Sequence, residues 1–197
     1  SNIGRIGMMA FGTGVTDAQI IGNTYTGKGD GDYLDYGIEI GGGAFATISG
    51  NEISGIGDST TDWANAAIMI TTLYGDGSGA TISENNIHDN YQAIDVGYDE
   101  TDTSAVTVHE NVIVDNYIDI ESTAPFVDAT LNYWGTPCGP DYVIGDVDYT
   151  PWYSDEAKTT QVSTGTVSEI VNFPAGSTTE YMQGQITCAV PGTIFNF

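Results

Sequence analysis

Apolar residues alternate with polar ones in short bursts along this chain, and helical spacing never persists for more than a few residues. The stretches "GIEI" at Gly37, "AIMI" at Ala67, "AIDV" at Ala93 and "YIDI" at Tyr117 each read in-out-in with a period of two, and "GMMA" at Gly7 belongs to the same series. Such alternation predicts short β-strands. A second pattern, I-x-x-N-x-Φ with Φ large and apolar, recurs around Asn23, Asn51, Asn85, Asn111 and, with Ala129 in place of Ile, Asn132. These asparagines lie 28, 34, 26 and 21 residues apart. A period of this size, built only from short strands, predicts an all-β solenoid.

Solenoid physics explains the letters. Equivalent strands of successive coils pair in parallel about 4.8 Å apart, so equivalent residues stack in columns. Ile and Val suit the interior because β-branched side chains pack well on a pleated surface. Asn23, Asn51, Asn85, Asn111 and Asn132 are expected to form a structural ladder at a tight bend, taking the left-handed conformation and bonding to the coils above and below. The expected fold is a parallel β-helix of about five coils over residues 1–153, with a β-rich cap or tail over 154–197. The tail lacks the asparagine template; "TVSEIV", "TEYMQGQITCAV" and "GTIFNF" read there as strands separated by Pro174, Gly176, Pro191 and Gly192. The chain opens almost directly in a coil, so an exposed coil end is expected, a template on which identical chains stack.

Composition narrows the function. Three Lys and Arg stand against 27 Asp and Glu, a formal charge of −24, which repels phosphate backbones and argues against nucleic-acid binding. The same surface attracts divalent cations. No window approaches 18 apolar residues, so no transmembrane helix is expected. No basic stretch followed by an apolar run opens the chain, so a leader is expected to be removed or to lie upstream. Cys138 and Cys188 are too few for a zinc site and are candidates for a disulfide closing a loop of about fifty residues.

The insertions emerge on one side of the stack, where solenoids place binding surfaces. Asp30, Asp32 and Asp35 in one Gly-rich loop, with Asp58 and Asp62 in the corresponding loop of the next coil, offer oxygens suited to Ca²⁺, although the full EF-hand pattern is missing. "YDETD" from Tyr98 is a second calcium candidate. Tyr33, Tyr36 and Trp63, together with Tyr74, Tyr91 and Tyr98, are candidates for stacking on glycans. In the third strand the outward column reads Glu39, Met69 and Asp95, and two registers are open for the next coil, one placing Asp119 beside Asp95 and the other Glu121. Either puts two carboxylates about one coil step apart, which raises one pKa or recruits a cation. His88 and His109 sit at different distances from the asparagine motif, so they do not stack as a metal pair. "GKGDG" lacks the closing G-K-[ST] of a phosphate loop, and no G-x-S-x-G elbow is present.

The five coils, ending in "NYWGTPCGPDYVIGDVDYTPW" from Asn132 to Trp152, resemble the right-handed parallel β-helix superfamily of pectate lyases, polygalacturonases and many secreted or surface proteins of bacteria and methanogenic archaea. The resemblance covers about residues 5–153 and is specific for fold rather than function. It implies that carboxylates stacked on neighbouring coils serve as acid/base pairs or Ca²⁺ ligands. A pectate-type lyase resembles a site with a basic residue, and the whole supply here is Arg5, Lys28 and Lys158. A hydrolase needs only carboxylates, but the acidic dipeptide and H-G signatures of a polygalacturonase-like site are missing. The reading from sequence is therefore an extracellular or cell-surface β-helix with a structural, adhesive or assembly role, stiffened by Ca²⁺. Its rival is a polysaccharide-active domain that hydrolyses or binds surface glycans along the loop face through Asp95 with Asp119 or Glu121.

Overall fold

The computed structural model describes residues 5–29, 35–57, 65–75 and 77–163, with short pieces of the tail that include 170–172, Cys188 and 194–196. Each coil runs along three faces. Sheet A stacks β1 (Ile6–Phe11), β4 (Tyr36–Gly41), β7 (Ala66–Ile70), β10 (Gln92–Val96), β13 (Ile118–Ser122) and β15 (Val143–Ile144). Sheet B stacks β2 (Ala18–Ile21), β5 (Phe45–Ser49), β8 (Gly79–Ser83), β11 (Ala105–His109), β14 (Val127–Asp128) and β16 (Val147–Asp148). Sheet C holds β3 (Thr24–Gly29), β6 (Glu52–Ile56), β9 (Asn86–His88) and β12 (Val112–Val114). Every pairing within these three sheets is parallel.

The interior is a set of apolar columns. Ile38, Ile68, Ile94 and Ile120 stand in register on sheet A. Ile48, Ile82 and Val108 do so on sheet B, and Ile53, Ile87 and Ile113 on sheet C. All of these are fully buried, and each contributes about 1.5–3 kcal/mol of transfer free energy. In the first coil Ala10, Ile20 and Tyr25 are only 7–9% exposed, with Met8 and Val15 packed against them.

The corner between sheets B and C carries the asparagines. Asn51 donates from its backbone N–H and from Nδ2 to the single Oδ1 of Asn85, at 2.9 and 2.8 Å. Asn23 does the same to Asn51, Asn85 to Asn111, and Asn111 to Asn132. A second donation from Nδ2 reaches the Ile20 carbonyl from Asn51 and the Ile48 carbonyl from Asn85. The expectation that the asparagine itself turns left-handed is corrected. The residue before it does so: Gly22, Gly50, Glu84, Glu110 and Leu131 have φ of 67, 63, 57, 59 and 59°. The asparagine backbone thus keeps its N–H aligned with the next coil, and a non-glycine residue bears a cost of roughly 1–2 kcal/mol for the bend.

A second, shorter ladder stands at the corner between sheets C and A. Ile56 donates to Asn90 Oδ1, and Asn90 donates from N–H and Nδ2 to Asn116 Oδ1 at 3.1 and 3.0 Å. Again the preceding residues, Asp89 and Asp115, are left-handed.

At the far end Trp134 and Trp152 close the core. β17 (Trp152–Tyr153) continues the stack through a bridge to Tyr133 and turns back antiparallel to β18 (Gln161–Val162). A Cys138–Cys188 disulfide, across 50 residues, ties the tail to the last coil. At the opposite end β1, β2 and β3 pair on one side only among the described residues.

Asn85→Ala removes an acceptor that two buried donors share and is expected to cost about 2–4 kcal/mol in denaturant unfolding. Asn23→Ala is expected to cost less than half as much, because Asn23 only donates to the ladder. Equal losses would show that the ladder is not directional.

Candidate functional site

The outer face of sheet A forms a groove of about 400 Å³. Its floor follows from register. Met9, Glu39, Met69, Asp95, Glu121 and Ile144 form one outward column, and Tyr36 and Gln92 lie beside it. The walls rise from the segments flanking these strands. Tyr74, from the loop after β7, and Tyr98, from the loop after β10, are 73% and 58% exposed. Tyr91 forms the other side and stacks on Tyr117 at 5.3 Å and 17°, and Tyr142 meets Tyr117 edge-on at 6.2 Å. Arg5 stands at the N-terminal end.

One buried carboxylate holds both wall loops. Asp102 Oδ2 accepts the N–H of Thr72 and of Tyr98, each at 2.9 Å, and Oδ1 accepts the N–H of Ser104 at 2.8 Å. Burial disfavours its charge, but the donors of Thr72 and Ser104 hold its pKa below the usual carboxylate range. The aspartate of "YDETD" is therefore a loop anchor.

The floor is electrostatically frustrated. Burial, then the charges of Glu121 and Asp102, push Asp95 up to about 7. Glu39 is also raised by burial, with Arg5 offsetting part of the effect. Burial beside Asp95 and Glu39 lifts the Tyr36 hydroxyl to about 12. Glu121 accepts a hydrogen bond from Gln92 Nε2. At neutral pH this places an acid that is about half protonated one strand spacing, about 4.8 Å, from a second carboxylate.

The structure decides between the two registers. Asp95 pairs with Glu121. Asp119 is corrected: it is 4% exposed and points away from the groove column. Its Oδ2 accepts the N–H of Asp141 and Tyr142 at 2.9 and 3.2 Å, fixing the segment that enters β15. Burial raises its pKa to about 6 despite those donors.

Asp30, Asp32, Asp58, Asp62, Tyr33 and Trp63 lie outside the described residues. Asp35 is buried, its N–H donating to Asn65 Oδ1 at 2.7 Å, and Tyr36 belongs to the groove floor rather than to an exposed stacking surface. Among the described residues no group of three or more His, Cys, Asp or Glu side chains is arranged to hold a metal ion. Neither histidine lines the groove. His88 bridges Glu52 at 2.6 Å and Asp89 at 2.7 Å, which raises its pKa, and His109 sits 3.0 Å from Asp128.

Sequence reasoning singled out Tyr91 but neither its partners Tyr117 and Tyr142 nor the Gln92 contact. The signal was present as "DNY", repeated at Asp89 and Asp115, since each tyrosine follows the second ladder by one residue.

Because the folded pKa of Asp95 lies above its ordinary value, its ionisation destabilises the fold as pH rises from about 4 through about 7. Asp95→Asn is therefore expected to melt higher than the parent at pH 8, by roughly 3–6 °C, with the gap closing by pH 4. A parent of equal or greater stability at pH 8 would contradict this electrostatic reading.

A family model described as right handed beta helix region matches residues 1–135. No curated protein and no solved structure matches the chain. With three stacked parallel sheets and a match over more than half of its length, the chain belongs to the right-handed β-helix family.

Proposed function

We propose that this β-helix is an extracellular domain that binds polysaccharide in the groove of sheet A. The observation that carries the reading is the groove itself: exposed tyrosine walls over a floor of Glu39, Asp95 and Glu121. Sugar rings present apolar C–H faces to aromatic walls and hydroxyls to carboxylates, and both are supplied here. The disulfide supports an oxidising compartment. The acid beside a second carboxylate is also the pair that glycoside hydrolysis uses. In that case Asp95 donates the proton to the leaving oxygen, Glu121 attacks or activates water, and the rate falls as pH rises through about 7.

The test is binding of a panel of soluble oligosaccharides by calorimetry, with reducing ends counted after incubation. Tyr74→Ala and Tyr98→Ala are each expected to weaken binding about tenfold, or about 1.4 kcal/mol, without loss of melting temperature. New reducing ends that disappear in both Asp95→Asn and Glu121→Gln would make the domain a hydrolase. No binding to any glycan would sink the reading.

A structural or assembly role is the second reading, supported by β1, β2 and β3 pairing on one side only among the described residues. Light scattering separates it: end-to-end growth supports assembly, and a constant monomer mass removes it.

A further inference from the structure

The groove floor gathers three carboxylates, Glu39, Asp95 and Glu121, with Arg5 beside Glu39. Asp95 lies between Met69 and Glu121 in the outward column, half-buried and lining the groove. No hydrogen bond from the described residues reaches its carboxylate; its surroundings supply burial and the charges of Glu121 and Asp102. Glu39 lies two coil steps away and has Arg5 as its cationic neighbour. Lys158 is engaged elsewhere, donating from Nζ to the Glu110 carbonyl. Two carboxylates one strand spacing apart, one of them desolvated, form an arrangement that a protein tolerates at a cost unless a positive charge arrives.

We infer that the groove takes an amino-sugar chain, with a protonated amine of the glycan seated between Asp95 and Glu121. The inference rests on the polysaccharide-binding reading and narrows it. An ammonium supplies the charge and the N–H donors that the Asp95 carboxylate lacks. The tyrosine walls accept the sugar faces and add cation–π attraction to the same group. A uronate chain would bring negative charge into a cleft that already focuses negative potential, in a molecule of net charge −24. A neutral chain would cover Asp95 further from water and return only hydroxyl contacts.

The experiment is calorimetric titration at pH 6 and low salt with three probes: a β-linked glucosamine tetramer, its N-acetylated counterpart and a galacturonic acid tetramer. The amino tetramer is expected to bind at least tenfold more tightly than the acetylated one, and the galacturonate not at all. Asp95→Asn and Glu121→Gln should each weaken the amino tetramer tenfold or more and cut its preference over the acetylated tetramer at least fivefold; Glu121→Gln keeps an oxygen for Gln92. Asp115→Asn and Asp146→Asn, at exposed positions outside the groove, should change neither. Near-UV circular dichroism checks that each variant is folded. Equal affinity for amino and acetylated tetramers would overturn the amine inference and leave the groove reading standing. An equal loss in Asp115→Asn or Asp146→Asn would overturn it as general charge attraction. Absence of binding by all three probes would overturn the amine inference, and absence of binding by the whole oligosaccharide panel would overturn the groove reading as well.

Discussion

The whole molecule hangs on an asparagine amide oxygen that accepts two N–H groups from the coil before it. Asn85 Oδ1 takes both the backbone N–H and the Nδ2 of Asn51, and the same contact is repeated along the stack. A parallel strand pair by itself tolerates slippage, since a shift of two residues restores the same in-out pattern. The ladder removes that freedom. It is buried, so a slipped coil would leave several donors and acceptors without partners in a dry interior. It also explains why Glu84, Glu110 and Leu131 accept a left-handed backbone that ordinarily favours glycine: the bend before the asparagine is what aims its N–H at the neighbouring coil.

Everything on the outer face of sheet A inherits this register. The second ladder, through Asn90 and Asn116, fixes where β10 and β13 of sheet A begin. Asp95 therefore meets Glu121, and Tyr91 meets Tyr117. The columns that stabilise the inside with isoleucine set carboxylates and tyrosines against one another on the outside. A stacked fold makes like neighbours of like positions, which favours apolar and aromatic side chains and penalises charges of one sign. The raised pKa of Asp95 adds that penalty to the larger cost of burial, and it lies inside the groove, where a ligand can relieve it.

The acidity of the rest of the chain has a different meaning. Asp99 and Asp128 are held ionised by neighbouring hydrogen bonds, and Asp102 anchors the loops that form the groove walls. Water and local N–H donors satisfy such groups. Composition alone cannot separate them from Asp95, to whose carboxylate no hydrogen-bond donor among the described residues is directed.

Sequence by itself determined the repeating part of this protein. The alternation in "GIEI" and "AIMI" and the spacing of Asn23, Asn51, Asn85, Asn111 and Asn132 define strands, corners and a parallel stack, because in a solenoid each coil touches the next and periodic contacts leave periodic letters. The register of Asp95 was legible only in part. Matching "YIDI" to "AIDV" by its letters led to Asp119, whereas counting from the asparagine ladder led to Glu121; hydrogen bonds at the corner set the register, and resemblance of letters does not. What tertiary structure alone decided was the groove: Asp102 drawing together the loops after β7 and β10, Asp119 bonded to the Asp141 and Tyr142 amides, and Asp95 desolvated beside a second charge. Insertions follow no period, and a side chain's burial depends on what folds over it, so neither leaves a pattern along the chain.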